Sequence, residues 1–521
     1  MSIRISPLFR AENLTRAWLL FGCALFSHLA NAIPTLSLNA SPASVVSGAS
    51  TTLTWSSTEA TVCAASGAWS GVKASSGSQA INAITTSATY NLTCTSSSGV
   101  ATQSVSVTIS PPNNFPVAFD VGVAYSRDLF VNASALPGGN GSQGAPYQTI
   151  GGALAQATPG TRIRIAAGTY GAVGTFSNLQ GSPQAPIGLI AEGAVVIDTN
   201  LTALAMHLVD PRYVVIQGIT VQNTFPHGIN IDDGGSYSSP AQYVVLRNVT
   251  FRNIGTGGNN DCLKLSGVDN FYVEGSSFSG CNSGEAIDMV GCHNGVISGN
   301  HFFDTPGNAV QTKGGSADVL IHGNRFTNVT QRSINAGGST GAAFYRPSNT
   351  THEGLRIQMI ANIFERPGST PVAFVGCDTC VFANNTIIEP GTYMARILEE
   401  NTTLAPGTNG FFINNIVVFN SLGRSTYVNV GVNTQPGTYT FGWNLWYALD
   451  NAAFTGPVYG GGVAPEVNGI IQRDPLLDAN RRPGVGSPAI GAGRDVPRGL
   501  AGDFSRAAYS TPPTVGAFAG P

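Results

Sequence analysis

The phrase VVIQGITVQN (214–223) is followed by four variants, each with an apolar pair, a small or Asn residue, and an aromatic or aliphatic residue before a turn. The variants are VVLRNVTFRN (244–253), FYVEGSSFSG (271–280), GVISGNHFFD (295–304) and VLIHGNRFTN (319–328). Their anchor residues are spaced by 30, 27, 24 and 24 residues and are Val221, Phe251, Phe278, Phe302 and Phe326. This drifting period predicts a solenoid, because one coil of such a chain cannot bury its apolar face alone.

A second group of phrases lies between these repeats and alternates apolar and polar residues at the period of a β-strand. The phrases are HGINIDD (227–233), DCLKLSG (261–267), EAIDMVG (285–291), NAVQTKGG (308–315) and RSINAGG (332–338). Strand geometry places their apolar pairs in the core and the intervening residues outside. The predicted core pairs are Ile229/Ile231, Leu263/Leu265, Ile287/Met289, Val310/Thr312 and Ile334/Ala336.

Stacking these coils turns the outward residues into columns, because adjacent rungs of a parallel sheet lie about 4.8 Å apart. One column contains Asn230, Lys264, Asp288, Gln311 and Asn335. A second contains Asp232, Ser266, Val290 and Lys313, and a third, just before the strands, contains His227, Asp261, Glu285, Asn308 and Arg332. Lys264 should therefore reach Asp288, and Asp261 should lie near Glu285, which predicts a groove of mixed charge that can hold an extended polymer.

An insertion between about residues 337 and 356 adds Tyr345 and Arg346 to this region. Insertions in solenoids form loops, often on the binding face. The alternative is an ordinary solvated face, on which an exposed Lys264–Asp288 pair would contribute less than about 1 kcal/mol. The mixed polar types, and the presence of two of the chain's three lysines, favour a functional groove.

The 521-residue chain is long enough for two or three domains. Only 10% of its residues are charged and 64 are Gly, a composition that favours short strands and tight turns. The formal net charge is -3, and no basic patch with interleaved aromatic residues points to nucleic acid. We therefore expect no nucleic-acid partner.

Residues 1–32 have the composition of a secretory signal peptide. A basic region with Arg4, Arg10 and Arg16 precedes the apolar run AWLLFGCALFSHLA (17–30) and the small-residue cleavage site at 30–32. The apolar run is short for a membrane span, although an uncleaved anchor is the alternative. We predict a secreted protein, extracellular or periplasmic, that has no stable membrane insertion after cleavage.

Residues 33–111 contain short alternating segments that predict a small β-sandwich, followed by a linker at 112–127. Cys63 and Cys94 are the two cysteines of this segment, and secretion favours their pairing. The stretch GASTTLTWSSTEATVCAASGAWSG (48–71) resembles the immunoglobulin-like modules of secreted bacterial proteins. That resemblance implies a spacer or a weak sugar-binding module.

The remaining cysteines and several histidines are interpreted as structural. Cys377 and Cys380 should form a tight-turn disulfide, and Cys262 should pack beside the core. A bridge between Cys281 and Cys292 is a further possibility. Residues His293, His301 and His322 lack the spacing of metal ligands and are interpreted as surface residues.

The two ends of residues 128–521 resemble those of secreted parallel β-helix proteins of the pectin lyase-like superfamily. The similar stretches are DLFVNASALPGGNGSQGAPYQTIGGALAQATPGTRIRIAAGTYG (128–171) and RDPLLDANRRPGVGSPAIGAGRD (473–495), with GDFSRAA (502–508) and TVGAFAG (514–520). The resemblance implies an all-β, right-handed parallel β-helix with an N-terminal cap helix and a C-terminal closing segment. Its coils should span about 185–420, with INNIVVF (413–419) in the last one.

The phrase order also resembles that of polygalacturonase-type glycoside hydrolases, in which NTDGIDI, DDCIAIKSG, GHG and RIK lie on successive coils. Asp261 matches the second Asp of the DD pair, and Lys313 matches the Lys of RIK. The other catalytic positions are replaced, by His227, Asn260, Glu285 and Gln311. Those replacements mean that the family's mechanism is not carried over.

A second resemblance is to β-helix polysaccharide lyases of the pectate lyase, alginate lyase and chondroitinase B types, which cleave uronate polymers by β-elimination. A cation neutralises the sugar carboxylate, a base removes the C5 proton and an acid assists the leaving oxygen. The resemblance implies Lys264 or Lys313 as base and Arg332 or Arg346 as carboxylate clamp. The Lys-Ser and Arg-His-Gly steps of the alginate lyase type are absent, since Ser266 and Val290 occupy those places.

These patterns together define the predicted site. The predicted catalytic residues are Lys264, Lys313, Asp261, Glu285 and Arg332. The predicted substrate-binding residues are His227, Asn230, Gln311, Asn335, Tyr345 and Arg346. A calcium cofactor would take oxygen ligands from Asp232, Asp261, Glu285 and Asp288.

The favoured function is a monomeric polysaccharide lyase that cleaves an acidic, uronate-containing polymer. A polygalacturonase-like hydrolase is the second hypothesis. The third is a non-catalytic glycan-binding or adhesin-type β-helix.

Overall fold

The structure is a computed structural model that describes residues 33–46, 48–110, 115–236, 238–282 and 284–520. The predicted signal peptide lies outside these residues. The described chain is almost entirely β-structure and divides into two compact units. One unit takes in most of residues 33–108, and the other takes in residues 109–521 with two short segments, 44–49 and 83–86.

The N-terminal unit contains two antiparallel sheets. The strands of the first are Thr35–Ser41, Thr51–Thr58 and Ser76–Ile81. Those of the second include Val62–Gly67, Gly71–Lys73, Ala88–Ser96 and Gly99–Ser110, and a short strand also covers Ser44–Val46. Trp69 packs edge-on against Trp55 of the first sheet and Tyr90 of the second, so the two sheets form the predicted sandwich.

The predicted disulfide between Cys63 and Cys94 is present. The two cysteines are directly paired on neighbouring strands of the second sheet. The bridge therefore ties one sheet together, whereas in immunoglobulin domains the corresponding bridge joins the two sheets.

The second unit is a parallel β-helix whose coils stack in register through three parallel sheets, which we call sheets A, B and C. The stack begins with the strands Arg127–Val131, Thr161–Tyr170, Ile187–Asp198 and Arg212–Thr224. Sheet A continues through Ala241–Arg247, Tyr272–Glu274, Val296–Ser298, Leu320–His322, Gln358–Ile360, Val381–Ala383, Phe411–Ile413 and Thr440–Gly442. Sheet B continues through Thr250–Ile254, Ser277–Phe278, His301–Phe303, Arg325–Thr327, Ile363–Glu365, Thr386–Ile388, Ile416–Phe419, Leu445–Ala448 and Ile470–Ile471.

Sheet C carries the polar phrases and has ten strands. They are Gly174–Ser177, Met206–Val209, Ile229–Asp232, Leu263–Ser266, Ile287–Val290, Val310–Lys313, Arg332–Gly337, Thr370–Val375, Ala395–Leu398 and Val428–Val430. Short strands follow at Val268–Asp269, Ser316–Ala317, Gly354–Leu355 and Cys377–Asp378, and 3-10 turns occupy Ala342–Phe344 and Pro436–Thr438. All the predicted core pairs of sheet C are buried.

The anchor residues form one apolar stack inside sheet B, and four of the five are aromatic. Val221, Phe251 and Phe278 are register partners, and the stack continues through Phe302 and Phe326. The four Phe rings lie nearly parallel, with centroids 4.8–4.9 Å apart. Stacked aromatic pairs contribute roughly 0.5–1.5 kcal/mol each beyond their buried area, so this column supports the repeat.

A ladder of buried asparagines follows the turn between sheets A and B. Its members are Asn300, Asn324, Asn362, Asn385, Asn415 and Asn444. Each Oδ1 from Asn324 onward accepts from the backbone N–H and the side-chain amide of the Asn one coil earlier. Glu466 Oε1 ends the ladder by accepting both bonds from Asn444.

Asn362→Ala is expected to lower the free energy of unfolding by about 3 kcal/mol. The change leaves the buried Asn324 backbone N–H without a partner, which costs about 1–3 kcal/mol, and it also removes the side-chain bonds to the Asn324 amide and the Ile321 carbonyl. Urea unfolding followed by circular dichroism measures the change. Asn420→Ala, at an exposed position, should cost less than about 0.5 kcal/mol, and equal losses in the two variants would contradict the ladder's role.

The cap helix is present at Ile150–Leu154, with the Thr149 side chain accepting from the Gly152 N–H. Its buried Ile150 and Leu154 join the apolar core of the first coils. The stack extends past residue 420, because Thr440–Gly442 and Leu445–Ala448 add another coil. The prediction that INNIVVF forms the last coil was therefore wrong.

Residues 115–127 are packed on the β-helix, so the predicted linker at 112–127 was wrong over this range. Phe115 is buried, Tyr272 Oη donates to the Val117 carbonyl, and Arg247 makes a two-pronged ion pair with Asp120. The C-terminal segment also packs on the coils, with Val515 in one cluster with Ile416 of sheet B. Both segments cover outer faces of the stack.

The cysteine pairing differs in part from the prediction. Cys262 is bonded to Cys281, and Cys292 is a buried free thiol, so the suggested Cys281–Cys292 bridge was wrong. The Cys377–Cys380 disulfide is confirmed. His322 is buried rather than on the surface, because it lies under the C-terminal segment and bonds the Gly502 carbonyl; burial lowers its pKa to about 4.

No helix in the described part of the chain has the length and apolar character that a membrane span requires.

Candidate functional site

The predicted columns of sheet C are confirmed by the strand register. Asn230 pairs with Lys264, Lys264 with Asp288, Asp288 with Gln311, and Gln311 with Asn335. The neighbouring column is likewise confirmed, and it runs through Asp232, Ser266, Val290 and Lys313. The parallel register thus brings side chains from five coils onto one face.

Asp288 is the centre of this face. Its carboxylate has no exposed surface, and each of its oxygens faces an ammonium group. Lys264 Nζ lies 2.8 Å from Oδ2, and Lys313 Nζ lies 2.9 Å from Oδ1. Burial alone would raise the pKa of Asp288, but the two lysines outweigh it and hold the pKa below its usual value.

Lys264 is held by two carboxylates. Besides Asp288, its Nζ donates to Asp261 Oδ2 at 3.0 Å. Burial would lower the pKa of Lys264, but Asp288 and Asp261 raise it well above its ordinary value. Lys264 is therefore a fixed cation, which makes it the weaker candidate for the predicted base.

His227 stands beside Asp261 in the column that precedes the strands. The Asp261 backbone N–H donates to His227 Nδ1 at 2.9 Å, which assigns the proton of a neutral ring to Nε2. Burial, together with the Lys264 charge, lowers the pKa of His227. The ring is thus a neutral hydrogen-bond donor at Nε2.

Glu285 lies next to this ion-pair cluster. Its backbone N–H donates to Asp261 Oδ1, and Asn308 Nδ2 donates to its Oε1. Burial, followed by the nearby Asp288 and Asp261 charges, raises the pKa of Glu285 to about 7. Glu285 therefore holds a proton near neutral pH, which is the property of a general acid.

Gln311 links Glu285 to Lys313. With its amide oriented to satisfy both neighbours, its nitrogen donates to Glu285 Oε1 at 3.2 Å and its oxygen accepts from Lys313 Nζ at 2.7 Å. Lys313 is thus fixed by one carboxylate oxygen and one amide oxygen, a weaker hold than the two carboxylates on Lys264.

Two open cavities flank the cluster. The first, of about 580 Å³, is lined by His227, Lys264, Asp288 and Lys313, with Phe344 of the insertion on its wall. The second, of about 430 Å³, is lined by Glu285, Asn308, Gln311, Arg332 and Asn335. Asn259 contributes to both. A polymer that passes from one cavity to the other would cross the Lys264–Asp288–Gln311 column.

Three of the four predicted calcium ligands form a cluster. Oxygen atoms of Asp261, Glu285 and Asp288 lie within 4.8 Å of one another. Asp232 is instead bound by His207, 2.6 Å away, and by the Asn230 amide. The two lysine ammonium groups already lie on the Asp261 and Asp288 oxygens, so the set does not fit Ca²⁺, which needs 6–8 oxygen ligands.

The insertion contributes to the site differently from the prediction. Tyr345 is buried, and its hydroxyl bonds Thr403 and Asn401, so its role is to hold the loop. Arg346 reaches the first cavity, but its guanidinium forms a two-pronged ion pair with Asp269 at 2.6 and 2.7 Å. Arg346 is therefore already neutralised, which weakens it as a carboxylate clamp.

Glu353, at the end of the insertion, was missed by sequence reasoning. It is fully buried and accepts from the Gly314 and Thr340 backbone N–H groups and the Thr340 hydroxyl. These bonds fix the cavity wall to the Val310–Lys313 coil. An acidic residue just before the strand Gly354–Leu355 was the available sequence signal.

Arg332 lies on the far side of the second cavity. Its guanidinium donates to Asn335 Oδ1 at 2.9 Å and to Glu400 Oε1 at 2.6 Å. Glu400 is partly exposed, so a substrate carboxylate can replace it at Arg332. The structure thus brings all five predicted catalytic residues to one face of sheet C.

Comparison with known proteins supports this fold. The family described as "Right handed beta helix region" matches residues 205–352, which contain the cluster. This match agrees with the parallel β-helix that the strand register shows and with the right-handed parallel β-helix that the sequence predicted. No curated protein matches the chain.

Similar solved structures include three sugar-cleaving enzymes. An alginate lyase from Paenibacillus sp. str. FPU-7 is 16% identical, with a TM-score of 0.40 over 58% of this chain and 97% of the lyase. Pectate lyase Pel9A is 17% identical (TM-score 0.38; 77% and 98%). A family 28 exopolygalacturonase of Yersinia enterocolitica is 13% identical (0.26; 78% and 100%). At these sequence identities and TM-scores, the similarity does not indicate what activity this chain has.

Proposed function

We propose that this protein is a secreted polysaccharide lyase that cleaves a uronate-containing polymer by β-elimination. The observation that carries the proposal is the presence of two lysines on one buried carboxylate, at the boundary of two open cavities and beside a carboxyl group that retains its proton near pH 7. The site thus combines fixed positive charge, a candidate base and a candidate acid.

The two lysines take different roles in this proposal. Lys264, bound to two carboxylates, stays charged and faces the uronate carboxylate, where its charge acidifies the C5 proton. Lys313, bound to one carboxylate, is the less firmly held of the two lysines and is the proposed base. Lysine charge replaces calcium in this scheme, because the ammonium groups already occupy the carboxylate oxygens.

Glu285 is the proposed acid. Lys313, acting as the neutral amine, takes the C5 proton and becomes an ammonium; the electron pair of the C5–H bond forms the C4–C5 double bond, and the C4–O4 bond breaks. The leaving O4 oxygen takes the proton that Glu285 holds. His227, a neutral donor at Nε2, orients the sugar in the first cavity, while Arg332 binds a carboxylate in the second. The partner that this scheme requires is an acidic polysaccharide, bound by a monomer.

The hydrolase hypothesis receives less support from the geometry. An inverting hydrolase needs carboxyl groups about 6.5–9.5 Å apart, with a water between them. Oxygens of Asp261, Glu285 and Asp288 lie within 4.8 Å of one another, and neither aspartate side chain has exposed surface. The two buried aspartates are therefore poorly placed to act as nucleophile or base on the open side of Glu285.

Secretion is part of the proposal. Three disulfides are formed among the described cysteines, and disulfides persist in oxidising compartments. The predicted signal peptide would also direct the chain to such a compartment.

Lys313→Ala is expected to reduce kcat on an acidic polysaccharide at least 100-fold, the usual contribution of a positioned base. The purified protein would be incubated with polygalacturonate, alginate and glycosaminoglycans, and ultraviolet absorbance of the unsaturated ends would be followed. Lys73→Ala is the matched control, because Lys73 is the lysine of the N-terminal unit, and it should leave kcat unchanged.

Activity should persist in a calcium chelator, because lysines supply the positive charge. New reducing ends without the absorbance would favour the hydrolase. Polymer binding without new ends would contradict both enzyme hypotheses and favour the glycan-binding one.

A further inference from the structure

Arg396 stands in the same outward column as the cluster, farther along sheet C. The register runs from Gln311 through Asn335 and Ala373 to Arg396. Three rungs of about 4.8 Å place Arg396 about 14 Å from the Gln311 rung. A polymer that lies along this face would therefore reach it.

The contacts of the Arg396 guanidinium are with neutral side chains. Its Nε donates to Asn429 Oδ1 at 3.0 Å, and its guanidinium lies over the Tyr393 ring, 5.5 Å from the centroid. None of the ion pairs among the described residues includes Arg396. A guanidinium has five N–H donors in a planar fork, so most of its donors remain for a ligand.

A second cation lies close to it. The positive charge of Arg332, after burial, lowers the pKa of Arg396. Arg332 is bound to Glu400, and that pair reaches across 68 residues of sequence. Within the described ranges, the guanidinium groups of Arg332 and Arg396 thus have only the carboxylate of Glu400 between them. A partly buried positive charge without its own partner is costly. An anion from outside the chain would balance them.

We propose that Arg396, positioned by Tyr393 and Asn429, forms a subsite for the carboxylate of a sugar about 14 Å from the reacting bond. The subsite rests on the proposed function for its substrate class, but it concerns binding and requires no chemistry. Arg is suited to it because its fork matches a carboxylate with two parallel hydrogen bonds. The consequence is a preference for long acidic chains over short ones.

The test measures binding in the full-length Lys313→Ala protein, in which turnover is slow. Calorimetry would compare a hexauronate, its methyl ester and a diuronate, with and without Arg396→Gln. Arg396→Gln should weaken hexauronate binding about tenfold, the value of one charge-assisted hydrogen bond. It should leave the diuronate and the methyl ester unchanged. Arg366→Gln, an equal charge change at an exposed position on another face, should have no effect.

Equal hexauronate binding with and without Arg396→Gln would overturn the subsite, even if the wild-type protein cleaves the polymer. An equal loss in Arg366→Gln would also overturn it, because the effect would then be general charge. Arg396-dependent binding in a wild-type protein that never cleaves would support the subsite and contradict the lyase. Arg396→Lys, which keeps the charge but not the fork, should restore only part of the affinity.

Discussion

Asp288→Asn is expected to lower the free energy of unfolding by about 3 kcal/mol and to abolish polysaccharide cleavage. Lys264 and Lys313 both contact Asp288, at 2.8 and 2.9 Å, and its carboxylate has no exposed surface. Removing one partner of a buried ion pair costs about 3–5 kcal/mol, because the remaining charge is left uncompensated. The lower value applies here, since both lysine side chains keep some exposure.

The loss of activity has a separate cause. The two lysines contact different oxygens of Asp288, and an amide replaces one of these oxygens by a donor NH2 group. One lysine would then lose its acceptor, so the two would no longer be held together. Urea unfolding measures the stability, and ultraviolet absorbance of the unsaturated products measures the cleavage. Both measurements should use the same preparation, at a temperature below that at which the variant begins to unfold.

Asp318→Asn is the matched control, because Asp318 also contacts two basic side chains, Arg356 and Arg498. Those groups are partly exposed, and exposed pairs contribute about 0–1 kcal/mol. This variant should lose less than about 1 kcal/mol and keep its activity. Similar stability losses in the two variants, or full cleavage by Asp288→Asn, would show that the central ion pair does not organise the site.

The position of the site was predictable from the sequence because the repeat fixes the register. Once Val221 and the four following Phe residues are aligned, strand period 2 forces Lys264 opposite Asp288, and the structure has that pairing. The same argument placed Asp261 beside Glu285. Local alternation and coil length contain this information, so no tertiary contact had to be guessed.

The burial of the site was not predictable in the same way. Asp261 and Asp288 were expected on an outward face, yet both are fully buried. Lysine side chains cover both carboxylates, since Lys264 contacts Asp261 and Asp288 and Lys313 contacts Asp288 from the next coil. Similarly, Arg332 reaches Glu400 across an intervening coil, a contact between residues 68 positions apart that no sequence period predicts.

Long-range packing also explains the predictions that failed. Cys262 was expected to pack alone, but the loop that follows sheet B returns Cys281 to it. Residues 115–127 have the composition of a linker, but Phe115 and Asp120 find partners on sheet A. Neither result follows from local propensity.

Glu285→Gln is expected to stabilise the protein at pH 8 while abolishing cleavage. In the folded protein the pKa of Glu285 is raised from 4.5 to about 7, first by burial and then by Asp288 and Asp261. Below pH 4.5 the carboxyl group is protonated in both the folded and the unfolded chain. Between pH 4.5 and 7 the unfolded chain releases this proton and the folded chain keeps it, so stability falls as pH rises.

The size of the effect follows from the pKa difference. A shift of about 2.5 units at 1.36 kcal/mol per unit corresponds to roughly 3 kcal/mol, lost by pH 8. Gln carries no charge at any pH and has nearly the shape of the protonated acid. The variant should therefore match the wild-type protein at pH 4.5 and exceed its unfolding free energy by up to about 3 kcal/mol at pH 8. Urea unfolding across this pH range measures the difference.

Glu466→Gln is the control that separates the effect on stability from the effect on cleavage. Burial also raises the pKa of Glu466 to about 7, at the end of the asparagine ladder and away from the cavities. This variant should lose the same pH dependence but retain cleavage, whereas Glu285→Gln should lose both. Wild-type cleavage should itself decline above pH 7, because the acid is then deprotonated. Retained cleavage in Glu285→Gln, or a stability gain that does not change between pH 4.5 and 8, would exclude Glu285 as a proton-holding acid.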